Sequence, residues 1–71
     1  MNFSTMLTRL KNKPNHIAYR EAWDSDRYLF IGYGTNRHRV LYVHDGIHSY
    51  PYSVQQPDLF LNDWEVEIGK L

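Results

Sequence analysis

Residues 55–68 read QQPDLFLNDWEVEI, and the change of period within this stretch decides the fold. Pro57 stands where a proline opens a short helical turn, because its missing N–H is of no consequence at the first helical position, and Asn62 and Asp63 close that turn. From Trp64 onward the pattern alternates: Trp64, Val66 and Ile68 fall on one face, Glu65 and Glu67 on the other. That is the period of a half-buried strand. A helical turn that runs directly into a strand points to mixed α+β architecture.

Working outward, the N-terminal segment NFSTMLTRLKNKP places Phe3, Met6, Leu7 and Leu10 at i, i+3, i+4 and i+7 on one helical face. Asn2 reads as its N-cap, Pro14 ends it, and the basic end at Lys11 and Lys13 suits the helix dipole. An amphipathic helix is therefore expected over residues 3–12. HIAYR (16–20) and RYLFIGYG (27–34) read as strands joined by EAWDSD, with Asp24, Ser25 and Asp26 supplying turn chemistry. In the second of these, Leu29 and Ile31 face one way while Tyr28, Phe30 and, after a bulge at Gly32, Tyr33 face another. GTNRHR reads as a loop. RVLYV (39–43) and IHSYPY (47–52) flank His44, Asp45 and Gly46, and Asp-Gly between alternating residues marks a hairpin. The expected whole is one domain over residues 1–71: an N-terminal helix on a small antiparallel sheet of four to five strands, with a short helical turn before the last strand.

Composition narrows the function. In 71 residues, eight Lys and Arg balance eight Asp and Glu, which argues against a protein that holds long nucleic acid through many phosphate contacts. There is no cysteine, so a disulfide framework and a thiolate zinc site are both excluded. No basic segment leads into an apolar run, so neither a signal peptide nor a membrane span is read, and a cytoplasmic protein is expected. A core this small supplies only about 3–5 kcal/mol, which favours association with further copies. Aromatic residues make up 15% of the chain, more than a small interior can absorb, so several faces are left for a pocket or a subunit interface.

No motif of covalent or phosphate chemistry is present: no G-x-S-x-G elbow, P-loop, G-x-G-x-x-G or H-E-x-x-H. His38, His44 and His48 with Asp45 invite a metal reading, but residues 44 and 48 across a tight turn do not converge, and solvated hairpin histidines are the plainer account. Asp24 and Asp26 read as turn acids that cap amides. Arg20, Arg27, Arg37 and Arg39 lie among Tyr28, Tyr33, Tyr42, Tyr50 and Tyr52. Guanidinium groups beside aromatic faces suit a phosphorylated, base-containing ligand.

Three segments together resemble the phage Thoeris anti-defence proteins of the second type: MNFSTMLTRLKNK, YREAWDSDRYLFI and PYSVQQPDLFLNDWEV. In the last, Gln56, Asp58, Leu59, Asp63, Trp64 and Val66 stand at matching places, and Pro51–Tyr52 stands where Pro-Trp is usual. The sequence departs from the family in a shorter middle segment, residues 33–48, and in Ala22 and Ser25 or Asp26 where glycines are usual. The resemblance implies a compact subunit closed by the strand of Trp64. It further implies a non-enzymatic sponge, without a cofactor, that sequesters a cyclic ADP-ribose isomer or a related cyclic nucleotide in the cytoplasm of the infected bacterial host. Such proteins assemble as homo-oligomers, tetramers or dimers, with pockets shared between subunits.

On that reading Arg20, Trp23, Arg27 and Tyr28 form one wall of the pocket, and Tyr50, Tyr52, Gln56 and Asp58 the other. Arg20 and Arg27 would meet phosphate oxygens, Trp23 and a tyrosine would stack on adenine, and Asp58 would accept from ribose hydroxyls. The residues leave other roles open: Trp23 in the core, Arg27 paired with Asp24 or Asp26, Asp58 capping the turn after Pro57. Two rival functions are a protein-docking inhibitor of a host defence enzyme, using a sheet edge and aromatic face, and a nucleotide-cleaving enzyme with His44 or His48 as general base.

Overall fold

The computed structural model describes residues 1–24 and 26–69. Its elements are α1 (Phe3–Asn12), β1 (His16–Arg20), β2 (Tyr28–Tyr33), β3 (Arg39–His44), β4 (Ser49–Pro51), α2 (Gln56–Phe60) and β5 (Trp64–Ile68), with a 3-10 turn at Thr35–Arg37. The five strands form one antiparallel sheet in the order β4-β3-β2-β1-β5. The last strand therefore returns to pair with the first.

Helix α1 begins as its sequence dictates: the Asn2 side chain accepts from the Thr5 amide at 2.8 Å. Its apolar stripe buries Phe3, Met6 and Leu10. These side chains pack on Ala18, Leu29, Val43 and Trp64, which the strand register brings to one face of the sheet through the pairs Ala18–Leu29, Leu29–Val43 and Arg20–Trp64. Helix α2 lies beside α1, and its Asp58 carbonyl accepts from Trp64 Nε1 at 3.3 Å. Both helices thus cover the same face.

The opposite face carries Ile17, Tyr19, Tyr28, Phe30, Tyr42 and His44, and neither helix packs on it. Its rings pack on one another instead. Phe30 and Tyr42 stack at 5.5 Å between centroids, and Tyr28 lies 6.0 Å from Phe30 and 5.1 Å from His44. The ladder is the cross-strand pairing of aromatic residues that stabilises an antiparallel sheet.

One expectation changes. No bulge interrupts β2, whose register with β3 runs unbroken from Tyr28–His44 to Tyr33–Arg39. Gly32 is needed for a different reason: a Cβ there would lie 2.9 Å from Tyr42 Cε2, so the missing side chain is what lets the Tyr42 ring cross β2. Without a bulge, Tyr33 falls on the helix-side face, at its exposed margin. In the β3–β4 turn the Asp45 amide donates to the His48 carbonyl at 3.0 Å, and Asp45 Oδ1 accepts from the amides of both Ile47 and His48, at 3.0 and 2.8 Å, so that strand β4 begins at Ser49. Gly46 takes φ +100° there, and the Asp45 carboxyl is lowered below its usual range by those two amides.

Leu29→Ala should destabilise the fold by about 2–5 kcal/mol through the cavity it leaves among α1, β1 and β3, whereas Tyr33→Ala should stay within about 0.5 kcal/mol. Urea unfolding of the two variants checks the assignment of faces.

Candidate functional site

The connection from β1 to β2 builds the site. Two short backbone bonds fold it, from Trp23 N to the Arg20 carbonyl (2.9 Å) and from Arg27 N to the Asp24 carbonyl (3.0 Å). They turn Trp23 back over the end of the sheet. One edge of the indole meets the core, in T-shaped contact with Trp64 at 5.4 Å and Tyr52 at 6.3 Å. Its face carries the Arg27 guanidinium, 4.9 Å from the ring centroid, a cation–π contact.

A cleft of about 300 Å³ opens beside this pair on the uncovered face of the sheet. Trp23 and Arg27 line it from the loop, Tyr28 from β2, Ile17 and Tyr19 from β1, and Glu67 from β5, with Glu21 and Asp24 at the rim. Among the described residues Arg27 makes no carboxylate ion pair, although Asp24 lines the same cleft. Its guanidinium donors are available to an anion, while Tyr19 spends its hydroxyl on Glu67 at 3.3 Å. Among the described residues the cleft therefore offers aromatic faces and the guanidinium of Arg27 within a rim of carboxylates.

Behind Trp23 lies a polar network with a structural task. Asp58, one of the buried residues, forms a capping box with Gln55 at the start of α2, and its Oδ2 accepts from the Gln55 amide at 3.0 Å and from the Tyr52 hydroxyl at 2.5 Å. Burial, and next the Asp58 carboxylate, hold the Tyr52 phenol well above its ordinary value of 10.0. Arg20 reaches Asp63 with two hydrogen bonds, Nε to Oδ1 at 3.2 Å and Nη2 to Oδ2 at 3.3 Å, both side chains half-buried. The pair ties the end of β1 to the residue that precedes β5.

A sequence model of the Thoeris anti-defense 2-like domain matches residues 1–67. The chain belongs to that family. No curated protein and no solved structure matches it. Membership assigns a Thoeris anti-defence role, and no helix among the described residues is long and apolar enough to cross a membrane.

Within this member of the Thoeris anti-defense 2-like family, the residues expected to touch ligand fall into three groups. Trp23, Arg27 and Tyr28 come together at the cleft. Arg20, Tyr52 and Asp58 stand behind it, engaged with Asp63 and with each other. Tyr50 is exposed on β4 and Gln56 is exposed on α2, and neither lines the cleft. Of the histidines, His44 shares a 2.9 Å hydrogen bond with Ser49 Oγ and packs on Tyr28; among the described residues no cluster of three metal-ligating side chains forms. Sequence reading missed Ile17, Tyr19 and Glu67. The alternation of β1 puts residues 17 and 19 on one face, but Glu67 joins them only because β5 pairs with β1 and sets it opposite Ile17.

Asp58→Ala should cost about 1–3 kcal/mol in urea unfolding, because it strands the Tyr52 hydroxyl and the Gln55 amide; combined with Tyr52→Phe, the two losses should be less than additive. Since the folded state holds the Tyr52 proton more tightly than the unfolded chain, that contribution is complete below the ordinary tyrosine value of 10.0 and is lost as the pH rises above it. Stability measured in alkaline solution should fall less steeply in Tyr52→Phe.

Proposed function

We propose that the protein is a sponge: it binds a cyclic ADP-ribose isomer or a related cyclic nucleotide made by a bacterial defence system and withholds it, unaltered, in the cytoplasm of the infected host. The observation that carries this reading is Arg27, whose guanidinium lies on Trp23 without a carboxylate partner among the described residues and borders a cleft that also presents Tyr19 and Tyr28. A phosphate meets the guanidinium, and a base finds an aromatic face.

Size and charge support assembly as well. A cleft of about 300 Å³ lies at the lower end of the range for small-molecule sites, and among the described residues that line it Arg27 is outnumbered by Glu21, Asp24 and Glu67. A dinucleotide-sized anion needs further surface and further positive charge. A second copy, docked on the uncovered aromatic face next to the cleft, supplies both in a homo-oligomer. Arg20 and Asp58 then act by positioning: Arg20 fixes the end of β1, and Asp58 holds Tyr52 against Trp23.

The docking reading, in which the same aromatic face binds a host defence enzyme, uses the uncovered face without the cleft. The two separate cleanly. Calorimetry against cyclic ADP-ribose isomers and cyclic oligonucleotides should find a tight ligand, and heat denaturation should release it intact. Arg27→Ala should weaken that binding by about 1–3 kcal/mol. No binding across the set moves the function to protein docking, and a cleaved product makes the protein an enzyme.

A further inference from the structure

A second concavity lies on the helix-covered side of the sheet, away from the Trp23 cleft. Phe3 and Leu7 of α1, Ile31 of β2 and Leu41 of β3 wall a groove of about 320 Å³, and Lys11 and Arg39 line it toward the end of α1. A smaller concavity of about 230 Å³ adjoins it and shares Lys11, Ile31 and Arg39.

The walls and the cations make different demands on an occupant. Hydrocarbon walls offer no hydrogen-bond partner, so a nucleobase seated there would leave its polar edge unpaired at a cost of roughly 1–3 kcal/mol per group. The cations call for the opposite. Among the described residues no acidic side chain lines either concavity, and neither Lys11 nor Arg39 makes a carboxylate ion pair. The dipole of α1 accounts for Lys11, a cation in its last turn. It does not account for Arg39, which comes from β3. One Arg39 N–H goes to the Lys11 carbonyl at 3.2 Å, which leaves most of its fork of five donors unused among the described residues. That same bond satisfies a carbonyl at the helix end and reduces the repulsion an anion would meet there.

We propose that this groove binds an apolar monoanion, a medium-chain carboxylate whose hydrocarbon lies along Phe3, Leu7 and Leu41 and whose head group sits between Lys11 and Arg39. The site is separate from the Trp23 cleft and does not depend on the function proposed for it.

Calorimetry with decanoate, below its aggregation limit, tests this against decylammonium as the cationic match in shape. Decanoate should bind once per chain, with methyl shifts at Leu7 and Leu41 in the NMR spectrum, and decylammonium should not bind. Lys11→Gln and Arg39→Gln, both at exposed positions, should each weaken decanoate binding by roughly tenfold, the loss of one charge-assisted contact. Arg27→Ala should bind decanoate as the parent protein does. Equal binding of the two ligands, undiminished affinity in both glutamine variants, or loss of binding in Arg27→Ala would each overturn the proposal.

Discussion

The burial of Trp64 is the constraint on which the rest of the structure depends. It is fully buried at the start of the last strand, where its ring meets Phe3 of α1 at 5.6 Å and Trp23 of the β1–β2 connection at 5.4 Å. Its indole N–H donates to the Asp58 carbonyl in α2, and its backbone N–H to the Met1 carbonyl. One side chain therefore locks the first helix, the second helix and the loop of the cleft together. In so small a core this matters more than any surface contact, because an aromatic side chain of this size buries the most apolar area a single residue can.

The same packing explains why the cleft is preorganised. Trp23 cannot swing out without breaking its contacts with Trp64 and Tyr52, and Tyr52 is in turn held by Asp58. Arg27 rests on the outer face of a ring whose edge belongs to the core. A ligand that meets this pair finds its partners already ordered, which lowers the entropic cost of binding. The acids Asp58 and Asp63 serve this scaffold, whereas Glu21, Asp24 and Glu67 face the cleft and oppose an anion there unless other positive charge joins Arg27.

Much of this was legible in the sequence. The stripe Phe3, Met6, Leu10 marked α1, and the alternation in WEVEI marked β5, because both periods are set by a single buried face. Gly32 misled, since a glycine in a strand signals a bulge or a close approach alike, and only the position of Tyr42 distinguishes them. The candidate site was half legible. Trp23, Arg27 and Tyr28 are near in sequence and stay near in space. Tyr19 and Glu67 meet only through the pairing of β1 with β5, a contact between distant parts of the chain that no local pattern announces.

In the proposed function a nucleotide signal binds at Arg27 and Trp23, in a cleft completed by a second copy of the chain. A crystal structure of the protein with the cyclic nucleotide that binds most tightly tests this most directly. Phosphate oxygens within hydrogen-bond distance of Arg27, a base against Trp23, Tyr19 or Tyr28, and a second subunit closing the cleft are the predicted result. A nucleotide bound elsewhere, with Arg27 still resting on Trp23 and facing solvent, would contradict it.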